Sequence, residues 1–230
     1  MAVETSLDDQ QVARLRQLRA AGSSPKNIAR TLGVRPAAVA PWIRVVARED
    51  VAARSEPPVV GCWVNPGWSG HLTVHGHDDW PDSPSADVST SGLVGVLVAR
   101  RGRPHRVSVC CYLVDVYCLG VKDVLGPRIM SEDDLPAFRR WFFGVFGCGE
   151  APIEASLELA RHLVWGAIDY ARGLGFTPAP DFEPASGHLG EWAESSDITF
   201  GYDGAPFYIQ GPHDDPTRVM RTLSRTAAVG

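Results

Sequence analysis

The chain has 230 residues, a formal net charge of −5, 44% hydrophobic and 21% charged residues, the balance of a globular protein of one or two domains. No run approaches the ~20 apolar residues that cross a bilayer, so no membrane partner is expected. Residues 1–10 are acidic and lack the apolar stretch of a secretory signal, and five cysteines are too few and too odd for a disulfide scaffold, so a cytoplasmic location is expected.

Charge divides the chain unevenly. Residues 1–54 carry nine Arg or Lys against five Asp or Glu, and the remainder carries 13 against 22. Between Gln10 and Arg48 there are eight basic side chains and no carboxylate. A basic module on an acidic body is an expected footprint of nucleic-acid contact.

Three helices are predicted in residues 1–54. The first runs from about Asp8 to Ala21 with Val12, Leu15 and Leu18 on one face. The second opens at Ser24 as N-cap and Pro25 at the first helical position, carries Ile28, Ala29 and Leu32, and stops at Gly33. The third begins near Pro36 and carries Val39, Trp42, Ile43 and Val46. The string NIARTLGVRPAAVAPWIR resembles the homeodomain-like helix-turn-helix of transposases, resolvases and many regulators, over residues 8–50. That resemblance implies that the third helix enters the major groove, where only Arg35 and Arg44 can donate to base edges. Pro41, inside that helix, removes a backbone bond at a cost of roughly 3 kcal/mol and departs from the family pattern. DNA contact is therefore expected to run mainly through phosphates, from Arg14, Arg16, Arg19, Lys26, Arg30 and Arg48.

Residues 55–92 read as a Pro/Gly/Ser/Asp-rich linker or arm, with a short β-like run at Leu72–Val74 that fits an ordered hairpin or an arm lying on the C-terminal body. They contain His71, His75, His77 and Asp79 at alternate positions. In an extended strand all four share one face, with neighbouring imidazoles at roughly 6.7 Å between Cα atoms, close enough to share a metal. The His-x-His-x-Asp string resembles part of the metallo-β-lactamase motif, although Trp80 stands where that motif continues with His.

Residues 93–230 read as an α+β body of order ββααββα. Leu93–Ala99 and Val107–Leu119 form the first hairpin. A helix follows from about Ser131 to Phe146 and a longer one from Ile153 to Leu174. A second hairpin turns at Asp203-Gly204, and a last helix opens near Asp215-Pro216. The strings YLVDVYCLGVKD, VWGAIDYARGLGF and FGYDGAPFYIQGPHDDP resemble a prokaryotic family of hypothetical proteins over residues 93–226. That resemblance implies a domain boundary and no activity.

Chemistry is sparse in this body. Asp115 is the one carboxylate within an apolar strand and needs a partner to be buried, with Lys122 as the nearby cation; these two are the candidate catalytic groups. Glu158, His162 and Asp169 on the long helix read as a solvated, salt-bridged stripe. Cys110, Cys111 and Cys118 read as core residues, while Cys62 and Cys148 read as more exposed thiols. No phosphate loop, dinucleotide fingerprint, nucleophile elbow or paired CxxC is present, and no cofactor is expected. The first reading is a DNA-binding regulator or adaptor whose body dimerises, senses a ligand or recruits a protein partner, with enzymatic activity disfavoured. The alternatives are a metal- or carboxylate-dependent hydrolase or nuclease in the body, and a protein-docking module that has lost DNA binding.

Overall fold

A computed structural model describes residues 9–20, 23–36, 38–43, 56–83, 92–146, 151–192 and 195–227, and every structural statement concerns these. The chain divides into two compact units, Met1–Glu56 and Pro57–Gly230.

The first unit holds a run of three helices, α1 (Asp9–Ala20), α2 (Pro25–Thr31) and α3 (38–43). Ser24 caps α2, its Oγ accepting from the Asn27 N–H at 3.3 Å, with Pro25 at the first helical position. Both features remove a helix-end cost, because Pro has no N–H to leave unpaired. Val12, Leu15, Ile28, Ala29 and Val39 form one buried cluster, with Trp42 and Ile43 packed against it. Gly33 follows α2 with φ +68, a left-handed conformation that favours glycine. The helix at 38–43 continues through Pro41, which is exposed.

The second unit is built on a five-stranded antiparallel sheet. Its strands are β1 (Val59–Val64), β3 (Leu93–Arg101), β4 (Arg106–Asp115), β5 (Gly120–Ser131) and β6 (Ile153–Glu154), in the order β5-β4-β3-β1-β6. Alternation along the strands divides their apolar side chains between two faces. One face carries Val64, Val96, Val98, Cys110, Tyr112 and Val114, buried with Leu159, Leu163, Val164 and Ile168 of helix α5 (Leu157–Gly173). The other carries Trp63, Leu97, Val107, Val109 and Cys111, buried with Phe142 and Phe143 of helix α4 (Leu135–Phe146). A single 3-10 turn, Glu132–Asp134, capped by Ser131, leads into α4. A short helix α6 (Phe182–Ala185) and a last helix α7 (Pro216–Ala227) complete the unit. The Asp215 carboxylate caps α7 by accepting from the Arg218 N–H at 3.0 Å.

The mixed α+β architecture is as expected, but the order ββααββα is not. The stretch read as a linker or arm, 55–92, supplies β1, an interior strand of the sheet, while its β-like run at Leu72–Val74 does contain the two-residue strand β2 (Thr73–Val74). Turn residues on both sides of VVGCWV disguise it as a loop. The unread strand β5 contains Gly126-Pro127. These residues sit where the pairing with β4 shifts register, between Val109↔Arg128 and Cys111↔Leu125, an edge-strand bulge that tolerates Pro. Gly126 has φ +125, and a Cβ there would stand 2.5 Å from the Val109 carbonyl oxygen. Ile153–Glu154, read as the start of the long helix, pairs with β1 instead.

The second expected hairpin is also different. Asp203 and Gly204 do make a tight turn, with φ 51 and 84 and a bridge from Tyr202 to Ala205. The strand before it, β7 (Ile198–Thr199), pairs with β2 through Thr73↔Thr199 and Val74↔Ile198, not with the residues that follow the turn.

Candidate metal centre

The β2–β7 pairing decides where the histidines go. His71 Nδ1 lies 3.2 Å from Asp203 Oδ1, His75 Nε2 2.9 Å from Thr199 Oγ1, and His77 Nε2 2.9 Å from Asp197 Oδ2. Each imidazole thus meets a different polar partner along the opposing segment. The expectation that His71, His75, His77 and Asp79 share one face is corrected by the backbone. His71 and Gly76 have φ 62 and 78, so the segment is not the extended strand that the alternation requires. His71 stacks on Tyr202, and Asp79 is exposed in a turn.

His77 alone enters a group with metal-ligating composition. Its partners are Glu158 and His162, one turn apart on α5, and the three donor atoms lie within 4.8 Å of one another. Residues four apart on a helix share a face, which brings these two side chains together. The reading of Glu158, His162 and Asp169 as a solvated stripe therefore fails at His162, which is 4% exposed. Asp169 does pair on the surface with Arg172, and Glu158 is exposed.

Aromatic rings wall the group. Trp80 stacks on His77 with centroids 3.9 Å apart and meets the His162 ring edge-on at 5.0 Å. Trp192 meets His162 edge-on from another side, also at 5.0 Å. The Trp192 indole N–H is buried with no hydrogen-bond partner among the described residues.

Asp197 orders both imidazoles. Its carboxyl is held below the usual range, first by the hydrogen bond from His77 and then by the neighbouring His162, His77 and His75, which outweigh desolvation. An ionised carboxylate only accepts, so His77 Nε2 carries a proton and a neutral ring keeps its lone pair on Nδ1. The Asp197 backbone N–H donates to His162 Nδ1 at 2.9 Å. His162 therefore has its lone pair engaged at Nδ1, and in the neutral ring its proton is on Nε2, 3.9 Å from Asp197 Oδ2.

The other candidate groups have structural partners. Asp115 is 5% exposed, and its Oδ1 accepts from the Tyr117 and Cys118 N–H groups at 3.0 and 2.9 Å. It closes the tight β4–β5 connection. Burial pushes its carboxyl up to about 6, against those two bonds and the Lys122 charge. Lys122 Nζ donates to Asp214 Oδ2 at 2.8 Å, and the same oxygen accepts from the Gly211 N–H and the Tyr208 hydroxyl. Cys62 is buried, contrary to expectation, as are Cys110, Cys111 and Cys118. Burial pushes the Cys62, Cys110 and Cys118 thiols up to about 12 and raises Cys111 also, so none is a ready thiolate. Cys148 lies outside the described residues.

In the first unit Arg14, Arg16, Lys26, Arg30 and Arg35 are exposed and Arg19 is half-buried. Arg14 bonds Gln17 at 2.8 Å. Arg44 and Arg48 lie outside the described residues. No described helix is long and apolar enough to cross a membrane.

No family model, curated protein or solved structure matches this chain. The reading of the site rests on its geometry.

Sequence reasoning found His77 and placed Glu158 and His162 on one helix face, but it did not join them. The i, i+4 spacing of Glu158 and His162 is legible but reads as a salt-bridged stripe, because nothing local tells that His77 faces it. Asp197 carries no local motif, because only the β2–β7 pairing brings it to His77.

Proposed function

We propose that the second unit is a metal-dependent hydrolase whose ion is held by His77, Glu158 and His162. The convergence of these three donor atoms within 4.8 Å carries the reading. Two imidazoles and one carboxylate are a donor set of catalytic zinc, which keeps a further position for water. The His77–Asp197 contact supports it, because a ligating imidazole commonly donates its other N–H to a carboxylate. Exposure of Glu158 leaves the group open to solvent on one side. An ion held by these three residues would supply a bound water of pKa about 7, the nucleophile for the carbonyl carbon or phosphorus of an ester; the proton lost from that water would go to the departing oxygen.

Equilibrium dialysis of the full chain against zinc and manganese, followed by assay on activated carboxylic and phosphodiester substrates, tests the reading. One bound ion and turnover that disappears together in His162→Ala are expected. A wild-type protein that retains no ion removes the proposal.

A second reading concerns the first unit alone. Lys26, Arg30 and Arg35 are exposed on a unit with a buried core, and no carboxylate lies between Gln10 and Ile43 to neutralise them. This supports phosphate contact with duplex DNA, and the hydrolase would then act as a DNA-associated protein. Retention of a random duplex at low salt tests it; no retention overturns it.

A further inference from the structure

We propose that Asp197 is the positioning residue of this centre, with its two ends acting in opposite senses. The carboxylate prepares His77 for an ion, and the backbone amide must leave His162 before an ion can bind there. The inference rests on the metal reading above.

A neutral imidazole has one in-plane lone pair free to accept or to ligate. On His77 the Asp197 carboxylate takes the Nε2 proton as its partner at 2.9 Å, which leaves Nδ1 able to ligate. On His162 the lone pair is at Nδ1 and already accepts the Asp197 N–H at 2.9 Å. An ion at Nδ1 displaces that amide directly. An ion at Nε2 moves the ring proton to Nδ1, where it faces the amide proton. Either way the Asp197 N–H loses its acceptor.

The amide is not free to drift. Ser196 Oγ donates to the His162 carbonyl at 3.0 Å and accepts from the Ile198 N–H at 3.2 Å. The Asp197 carbonyl accepts from the His75 N–H at 2.9 Å. Loading therefore turns one peptide group within a segment anchored on both sides, to helix α5 and to the loop that carries His77. The Asp197 side chain, 48% exposed, is not itself a core element, so it can be changed without opening a cavity.

The test uses the full-length protein with cobalt(II) and zinc(II) as the probes. Cobalt affinity and visible absorption are measured for wild type, Asp197→Ala, Asp197→Asn and His77→Ala, with circular dichroism to check folding. Amide exchange is followed across residues 195–199 with and without zinc. Wild type should bind one cobalt, and Asp197→Ala should weaken it about 10- to 100-fold with an altered absorption band. Asp197→Asn, whose carbonyl still accepts from His77, should recover part of that loss. Zinc should speed exchange at the Asp197 amide. Tight cobalt binding that is equal in wild type and Asp197→Ala, or slower exchange at Asp197 on loading, overturns this inference and leaves the metal reading standing. No cobalt binding by folded wild type overturns both.

Discussion

Lys122 and Asp214 form an ion pair at 2.8 Å with side chains only 16% and 9% exposed. It ties strand β5 to the segment that leads into α7. Removing one partner of a buried pair strands the other charge, at about 3–5 kcal/mol, whereas replacing both with apolar groups of similar size can be neutral. This pair is only partly buried, so Lys122→Met should lower stability in urea by less, about 1–3 kcal/mol, and Lys122→Met with Asp214→Asn, which keeps an acceptor for the Gly211 N–H and the Tyr208 hydroxyl, should recover part of it. Equal loss in single and double variants would contradict the pairing.

Asp115 makes stability depend on pH in an unusual direction. Its folded value, about 6, lies above the ordinary aspartate value of 3.8, so between these the native state holds the proton more tightly than the unfolded one. Its contribution is then fully present below the unfolded value and is lost as pH rises through 6. The span corresponds to about 3 kcal/mol. Asp115→Asn keeps an acceptor for the Tyr117 and Cys118 amides and should gain on wild type as pH rises from 4 to 7. A pH-independent difference between the two proteins would show that this carboxyl is not so shifted.

Zinc should raise the thermal midpoint of the full chain. A ligand at 100 times its dissociation constant stabilises the native state by about 2.7 kcal/mol. A chelator should reverse the shift, and His77→Ala and His162→Ala should show none. A shift that persists in both variants would place the ion elsewhere.

At Gly126 any side chain meets two obstacles, the positive φ and the Val109 carbonyl at 2.5 Å. Gly126→Ala should cost about 1–3 kcal/mol from backbone strain, with more from the clash. Chemical denaturation measures it, and a loss below 0.5 kcal/mol, taken as roughly the effect of an ordinary surface change, would show that the bulge can relax.

For the first unit the salt dependence of duplex binding is diagnostic. Each phosphate contact contributes about 0.9 to the slope of log affinity against log salt. Replacing Lys26, Arg30 and Arg35 with Gln should lower that slope by about 2–3 in a fluorescence-anisotropy titration. An unchanged slope would mean that these side chains do not meet phosphate.

The helices were legible because their signals are local. Ser24-Pro25, Ser131 and Asp215-Pro216 announce helix starts within a few residues, and a 3.6-residue period needs no partner to be seen. Strands β1 and β5 were not legible, because each is identified by what pairs with it. Gly126-Pro127 reads as a break until the β4 bulge is known. The same limit governs the site. His77 was visible as a ligand type, but the positive φ of His71 and Gly76 redirects its neighbours. Helical spacing placed Glu158 and His162 on one face without telling which way that face points. Asp197 enters only through the antiparallel contact of two two-residue strands.

Arg100, in the interior of the sheet and 3% exposed, donates from Nε to the His188 carbonyl and from Nη1 to the Pro57 carbonyl, both at 2.7 Å. Pro57 lies just ahead of β1, which is hydrogen-bonded on both sides, to β3 and β6. A pull on the chain along β1 therefore loads its ladder bonds together in shear, with the Arg100 anchor at the point where force enters.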